Sequence, residues 1–206
     1  MVTTIYLIRH SKTLKVNNVL SNDDLQLQNE KKCLSIEGEK IAKEKFNDKE
    51  FENIYALYSS NYVRTIQTAK YLAKKNNLEI NVISDFAERK YGINSWDELP
   101  ENFESKQFLD ENYKLSNGES QKEVRERMYM AIMKILKNSC SKRIAIVSHG
   151  TAISYLLKKW CKTEIVNDKI RYLFNNKFLF EGNINYCETF KLEFNEDNDI
   201  ININII

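Results

Sequence analysis

The sequence predicts an α/β protein, a three-layer α/β/α sandwich around a mostly parallel central sheet. Three observations predict it. Short apolar runs at residues 5–8, 54–58 and 144–147 alternate with stretches of helical periodicity ten or more residues long, as βαβ units require. The first and last of these runs are apolar at consecutive positions, as in strands buried on both faces. The chain has 206 residues, 42% hydrophobic and 29% charged, enough for one domain with a sizeable core.

The elements follow in order. Residues 5–8 form a strand that delivers Arg9, His10 and Ser11 to the sheet's carboxyl edge, where open α/β folds place ligands. Residues 12–33 are polar and read as a long surface loop, the kind that often carries function. Ser35 caps a helix whose Ile41, Ala42 and Phe46 share a face. The strand at 54–60 ends in Ser59 and Ser60. A helix over 64–75 has Val63, Ile66, Ala69, Leu72 and Ala73 as its stripe. A short third strand at 80–83 precedes Glu88. Residues 93–117 are irregular and acidic, and their Trp96, Phe103, Phe108 and Tyr113 line a lid or form a satellite core.

Ser120 and Glu123 make a capping box for a helix carrying Val124, Met128, Ala131, Ile132, Ile135 and Leu136. It feeds the strand ending in Ser148-His149-Gly150, and a further helix with Ile153, Leu156, Leu157 and Trp160 follows. Residues 162–183 are ambiguous. Phe190, Leu192 and Phe194 alternate with Lys191 and Glu193, as in a strand with one wet face. Residues 200–206 read as a last, antiparallel edge strand. With no repeat or linker, residues 1–206 read as a single domain, with 93–117 as a variable, lid-like segment.

Composition removes several function classes. The net charge of +2 arises from well-mixed acids and bases, which argues against a nucleic-acid surface. Cys33, Cys140, Cys161 and Cys187 show neither a C-x-x-C pair nor metal-ligand spacing, and read as free thiols in a reducing cytoplasm. The start MVTTIYLIRH lacks the regions of a signal peptide, and no apolar run approaches a membrane span.

The chain holds two histidines, and both close a short apolar strand ahead of small residues. Arg9 adjoins the first, Arg64 opens the helix after the second strand, and Glu88 follows the third. Two guanidiniums, two imidazoles and a carboxylate at one sheet edge suit a dianionic oxyanion, because arginine forks match phosphate oxygens. A neutral imidazole is a competent nucleophile toward phosphorus, and a carboxylic acid can protonate the leaving alcohol.

Leu7-Ile8-Arg9-His10 resembles the R-H-G signature of the histidine phosphatase superfamily, which includes cofactor-dependent phosphoglycerate mutases. Further pieces match in order: Leu34-Ser35-x-x-Gly38-x-x-x-Ala42, Ser59-Ser60-x-x-x-Arg64-Thr65-x-Gln67-Thr68-Ala69, the loop from Glu88 to Gly92, Gly118-Glu119-Ser120, Ser148-His149-Gly150 and Asn185-Tyr186-Cys187. The resemblance implies a phosphoglycerate mutase-like fold. It implies that His10 becomes a phosphohistidine, that Arg9, Arg64 and His149 bind the transferring phosphoryl group, and that Glu88 protonates the leaving oxygen and then helps to activate water. It implies no metal and no cofactor. The substrate it implies is a small phosphate ester, with neither nucleic acid nor membrane as partner.

There are departures. Ser11 replaces the usual glycine and puts a hydroxyl near the phosphate. Lys12 adds positive charge at the mouth. The family's asparagine six residues after the histidine falls on Val16, leaving Asn17 one position late as a candidate substrate contact. Arg89 and Tyr91 match positions that touch substrate in the mutases, which favours a small anionic ester or a mutase. The short chain lacks the F-x-G-W-x-D stretch and the paired arginines of those enzymes. The reading is therefore a metal-independent phosphomonoester hydrolase. Mutase-type transfer is the alternative, and a non-catalytic phosphate-binding module a lesser one.

Overall fold

The computed structural model describes residues 2–15, 24–167 and 169–206. The strands β1 (Thr3–Arg9), β2 (Ala56–Ser59), β3 (Ile80–Val82) and β4 (Arg143–Ser148) are mutually parallel where they pair. Next, β5 (Lys162–Val166), β6 (Lys169–Phe174) and β7 (Lys177–Glu181) form a separate antiparallel meander. Last, β8 (Thr189–Phe194) runs antiparallel to β1, and β9 (Ile200–Ile205) runs antiparallel to β8. The central sheet has the order β3-β2-β4-β1-β8-β9. The expected edge strand at the chain's end is β9.

Successive side chains on a strand point to opposite faces, and this splits the core in two. Tyr6, Ile8, Ala145 and Val147 pack against α2 (Ile36–Lys45) and α3 (Val63–Asn76), through Ala42, Phe46, Ala69 and Leu72. Ile5, Leu7, Ile144 and Ile146 face the other way, onto α5 (Gln121–Leu136) and α6 (Gly150–Leu157), through Val124, Met128, Ile132, Ile153 and Leu156. Consecutive apolar residues on β1 and β4 are thus explained by helices on both sides, and the sandwich has the three expected layers. Ser35 accepts the Gly38 N–H, and Ser120 and Glu123 close a reciprocal capping box, as the sequence predicts.

Three stretches differ from expectation. The polar stretch 12–33 contains a short helix, α1 (Leu25–Lys31), capped by Asp24, whose Oδ1 accepts the Leu27 N–H at 2.7 Å. No residue of α1 is buried, so no apolar stripe announces it. The irregular stretch 93–117 contains α4 (Phe103–Leu109), and its aromatics form a satellite core. The buried Phe103 ring lies 5.8 Å from Tyr91 and 5.7 Å from Tyr113. The unassigned stretch 162–183 is the β5–β7 meander. Charges at alternate positions of half-exposed strands hide its apolar face, which sends Tyr172 and Phe180 into the core. The available signal is Asn175-Asn176, both at positive φ, the two-residue hairpin that asparagine tolerates.

Among the described residues, no helix is long and apolar enough to cross a membrane.

Candidate active site

The register of two parallel strands brings the histidines together. Arg9 pairs with Ser148 across β1 and β4, so the next residues, His10 and His149, emerge side by side. Their ring centroids are 5.2 Å apart, edge to face. Ser59 pairs with Val147 across β2 and β4, which brings Ser60 to the same edge. Ser148 donates from Oγ to the Phe86 carbonyl at 2.8 Å and so ties the segment before Glu88 to the end of β4.

His10 has a defined tautomer. Its Nδ1 lies 2.7 Å from the Ser11 carbonyl oxygen, which can only accept, so Nδ1 carries the proton. Its Nε2 accepts from Arg64 Nε at 3.1 Å. The bare Nε2 lone pair is the one a nucleophile needs. Burial, and after it the charges of Arg64 and Arg9, hold the His10 pKa well below the ordinary imidazole value, against the opposing Ser11 carbonyl.

His149 is fully buried, and its pKa is lowered well below the ordinary value by burial first and then by Arg64, His10, Arg127 and Arg9. Its Nε2 lies 2.8 Å from Ser60 Oγ, which in turn lies 2.8 Å from Thr65 Oγ1. Thr65 donates to the Tyr62 carbonyl at 2.7 Å. Its oxygen therefore accepts from Ser60, and Ser60 accepts from His149. This chain of bonds places the imidazole proton on Nε2 and leaves Nδ1 bare. Among the described residues Nδ1 has no hydrogen-bond partner.

The two arginines bring unneutralised charge. Arg9 donates to the Ile184 carbonyl, and its guanidinium lies 4.5 Å from the centre of the Tyr186 ring. Arg64 is 4% exposed, and its Nη1 donates to the Asn29 carbonyl at 2.6 Å. No carboxylate among the described residues forms an ion pair with either one. Gly150 matters here: a Cβ at that position would lie 3.3 Å from Arg9 Nε, so a side chain would crowd the guanidinium. Glu88 lines the same cleft as Arg9 and His10, about 530 Å³ in volume. Its carboxylate accepts the N–H groups of Arg89 at 2.9 Å, Ala152 at 3.0 Å and Thr151 at 3.4 Å. Two neutral imidazoles and two unpaired guanidiniums form a receptor for an oxyanion, with a carboxylate in the same cleft.

Residues 5–177 match the family model of the histidine phosphatase superfamily, branch 1. The chain belongs to that superfamily. No curated protein matches it significantly in sequence. Among solved structures it is similar to mycobacterial glucosyl-3-phosphoglycerate phosphatase, at 18% identity and a TM-score of 0.71, covering 100% of this chain and 97% of that one. It is also similar to a mutant of Entamoeba histolytica phosphoserine phosphatase in complex with phosphoserine, at 20% identity and a TM-score of 0.65, covering 98% of this chain and 96% of that one. At such identities the likeness concerns the fold. Superfamily membership supports a phosphatase or phosphoryl-transfer enzyme.

Of the residues the sequence singles out, the histidine phosphatase fold gathers Arg9, His10, Arg64, Glu88 and His149. Asn17 lies outside the described residues. Arg89 takes a different place from the one expected. Arg89 is 1% exposed, and its terminal nitrogens donate to both oxygens of Glu104 at 3.0 and 2.8 Å, to Gln107, and to the Tyr155 hydroxyl at 2.9 Å. Its guanidinium stacks 4.3 Å from the centre of the Tyr91 ring. It joins α4 to α6, and Tyr91 is the platform beneath it. The hydroxyl of Ser11 is also not at the phosphate: it donates to the Gly38 carbonyl at 2.6 Å. Lys12 pairs with Glu37.

Sequence reasoning assigned no role to Ser60, Tyr62, Thr65 and Tyr186. Ser60 and Thr65 orient His149, and the Tyr62 ring packs against it with centroids 4.6 Å apart. The spacing of Ser60, ahead of α3, and Thr65, in its first turn, was the available signal. Among the described residues, no group of three or more His, Cys, Asp or Glu side chains is gathered as a metal site.

Proposed function

We propose that this protein hydrolyses a small phosphomonoester, without a metal, through a phosphohistidine at His10. The observation that carries the reading is the His10 tautomer: the Ser11 carbonyl holds Nδ1–H, and the bare Nε2 stands among Arg9, Arg64 and His149. Nε2 attacks phosphorus and the N–P bond forms while the P–O bond to the alcohol breaks. The alcohol oxygen takes a proton from the Glu88 carboxylic acid. Water then attacks the phosphohistidine, Glu88 takes its proton back, and inorganic phosphate leaves with His10 restored. Arg9, Arg64 and His149 hold the phosphoryl oxygens throughout, the charge stabilisation that phosphoryl transfer chiefly needs.

Residues 93–117 serve as an adjustable wall, since Glu104 and Phe108 of α4 line the cleft. The transfer alternative drew on Arg89 as a substrate contact, and that side chain faces the interior, so hydrolysis is the reading retained. The test is turnover of an aryl phosphate in EDTA by the native protein and by His10→Ala. Full activity in EDTA with loss of the acid-labile phosphoenzyme in the variant is expected. Strict divalent-metal dependence, or an unchanged rate in His10→Ala, overturns the mechanism. A bisphosphoglycerate-dependent isomerisation of phosphoglycerate would restore the mutase.

A further inference from the structure

The cleft extends from His10 between α4, α6 and the β5–β7 meander. Its charged lining groups are few. Arg9, His10 and Glu88 belong to the phosphoryl end. Beyond them the one charged side chain among the described lining residues is Glu104, and both of its oxygens are held by Arg89. That arginine is buried, and its terminal nitrogens donate to Glu104, Gln107 and Tyr155.

Two of the cations on the elements packed around the cleft are committed elsewhere. Lys158 donates to Gln121 at 2.7 Å and lies 4.1 Å from the centre of the Phe108 ring. Arg171 pairs with Glu181 at 2.9 Å. Lys169 runs its stem past Gly182 without entering the lining. Beyond the phosphoryl end, a carboxylate on the leaving alcohol would therefore meet Glu104 and no cation among the described lining residues, and an anion desolvated without a partner binds poorly. What the walls do offer is an apolar surface from Phe108, Ile170 and Ile184, with the exposed Asn183 amide as a hydrogen-bonding group and the Ser154 hydroxyl, which donates to the Gly150 carbonyl, as an acceptor. The volume falls in the range of pockets that enclose a small molecule.

We propose that the alcohol released from this site is uncharged and ring-sized, a sugar- or nucleoside-type alcohol with hydroxyls and an apolar face, and not a hydroxy acid. The proposal rests on the phosphomonoesterase reading above, and the experiment separates the two. Turnover of an aryl phosphate reports the chemistry alone. The order of ligands reports the cleft: kcat/KM on the native protein, and calorimetric affinity on His10→Ala, for glucose 6-phosphate and AMP against 3-phosphoglycerate and phosphoserine. The uncharged alcohols should lead by at least about tenfold, one unit of log affinity. Asn183→Lys, which brings an ammonium to the exposed rim, should narrow that ratio. Equal or stronger binding of the two acids, or binding of none of the four esters, overturns the proposal. If the aryl phosphate is not turned over but the affinity order holds, the chemistry fails and the cleft assignment stands.

Discussion

Arg64 donates its Nε–H to Nε2 of His10 at 3.1 Å, so the guanidinium covers the nitrogen that would attack phosphorus. Its Nη1 is held by the Asn29 carbonyl of α1. A phosphoryl group entering the site must draw the Arg64 donor onto its own oxygens, which uncovers the nucleophile in the same movement. Arg64→Ala should therefore have two opposite effects. Phosphatase kcat/KM should fall about 10²–10³-fold, as on losing one donor to a developing oxyanion, while His10 should react faster with an imidazole-acylating reagent. Slower acylation would show that Arg64 does not cover Nε2.

Both histidines have pKa values held below the ordinary imidazole value by burial and by neighbouring arginines. In the unfolded chain they titrate near 6.5. Below that pH the unfolded state binds protons the native state does not, so stability falls as pH falls. Each histidine contributes a slope of at most about 1.4 kcal/mol per pH unit, present between the two pKa values and absent above the unfolded one. Urea unfolding at pH 7.5 and 5.5, above the range where most carboxylates titrate, should show this loss. His149→Asn should have a shallower dependence. Equal native stability at both values would contradict neutral burial.

The strand-end residues were legible because a parallel register is a local consequence of apolar runs. Once β1 and β4 pair, Arg9, His10 and His149 must emerge together, and Arg64 follows from the helix after β2. Arg89 was not legible, because what turns it inward lies far along the chain. Gln107 and Tyr155 are 18 and 66 residues away, and no local pattern shows that they converge on one guanidinium. Ser11 misled for a related reason. Its hydroxyl is drawn to the Gly38 carbonyl by the approach of α2, where a Cβ on Gly38 would lie 2.0 Å from the Lys12 oxygen. The meander was hidden by half-exposed strands, whose charges dilute the apolar alternation.

The bond chain from His149 through Ser60 to Thr65 leaves Nδ1 bare and Nε2 occupied. If His149 holds a phosphoryl oxygen, it does so by gaining a proton at Nδ1, since a bare nitrogen cannot donate. Binding of inorganic phosphate should then take up about one proton per site beyond what the ligand itself exchanges. Calorimetry in two buffers of different ionisation enthalpy measures this. His149→Gln should abolish the extra uptake. Proton-neutral binding in the native protein would mean that Ser60 releases Nε2 instead.

Arg89 separates a structural arginine from a substrate-binding one. It is buried beneath three aromatic rings, and its salt bridge to Glu104 runs outward to a side chain 62% exposed. The exposed partner is screened by solvent, so the pair itself contributes modestly. The larger consequence of losing Arg89 is that Gln107 and the Tyr155 hydroxyl lose a buried donor and the aromatic stack loses its centre. Arg89→Met keeps much of the volume and removes the donors. It should lower stability by about 3 kcal/mol, a fall in Tm of roughly 6–12 °C for a chain of this length. Glu104→Gln should cost less than Arg89→Met, because it leaves Gln107 and Tyr155 still bonded to the guanidinium. Aryl phosphate turnover per folded molecule should change little in Arg89→Met, since the phosphoryl group is held by other residues. Unchanged stability with a raised KM would return Arg89 to the substrate.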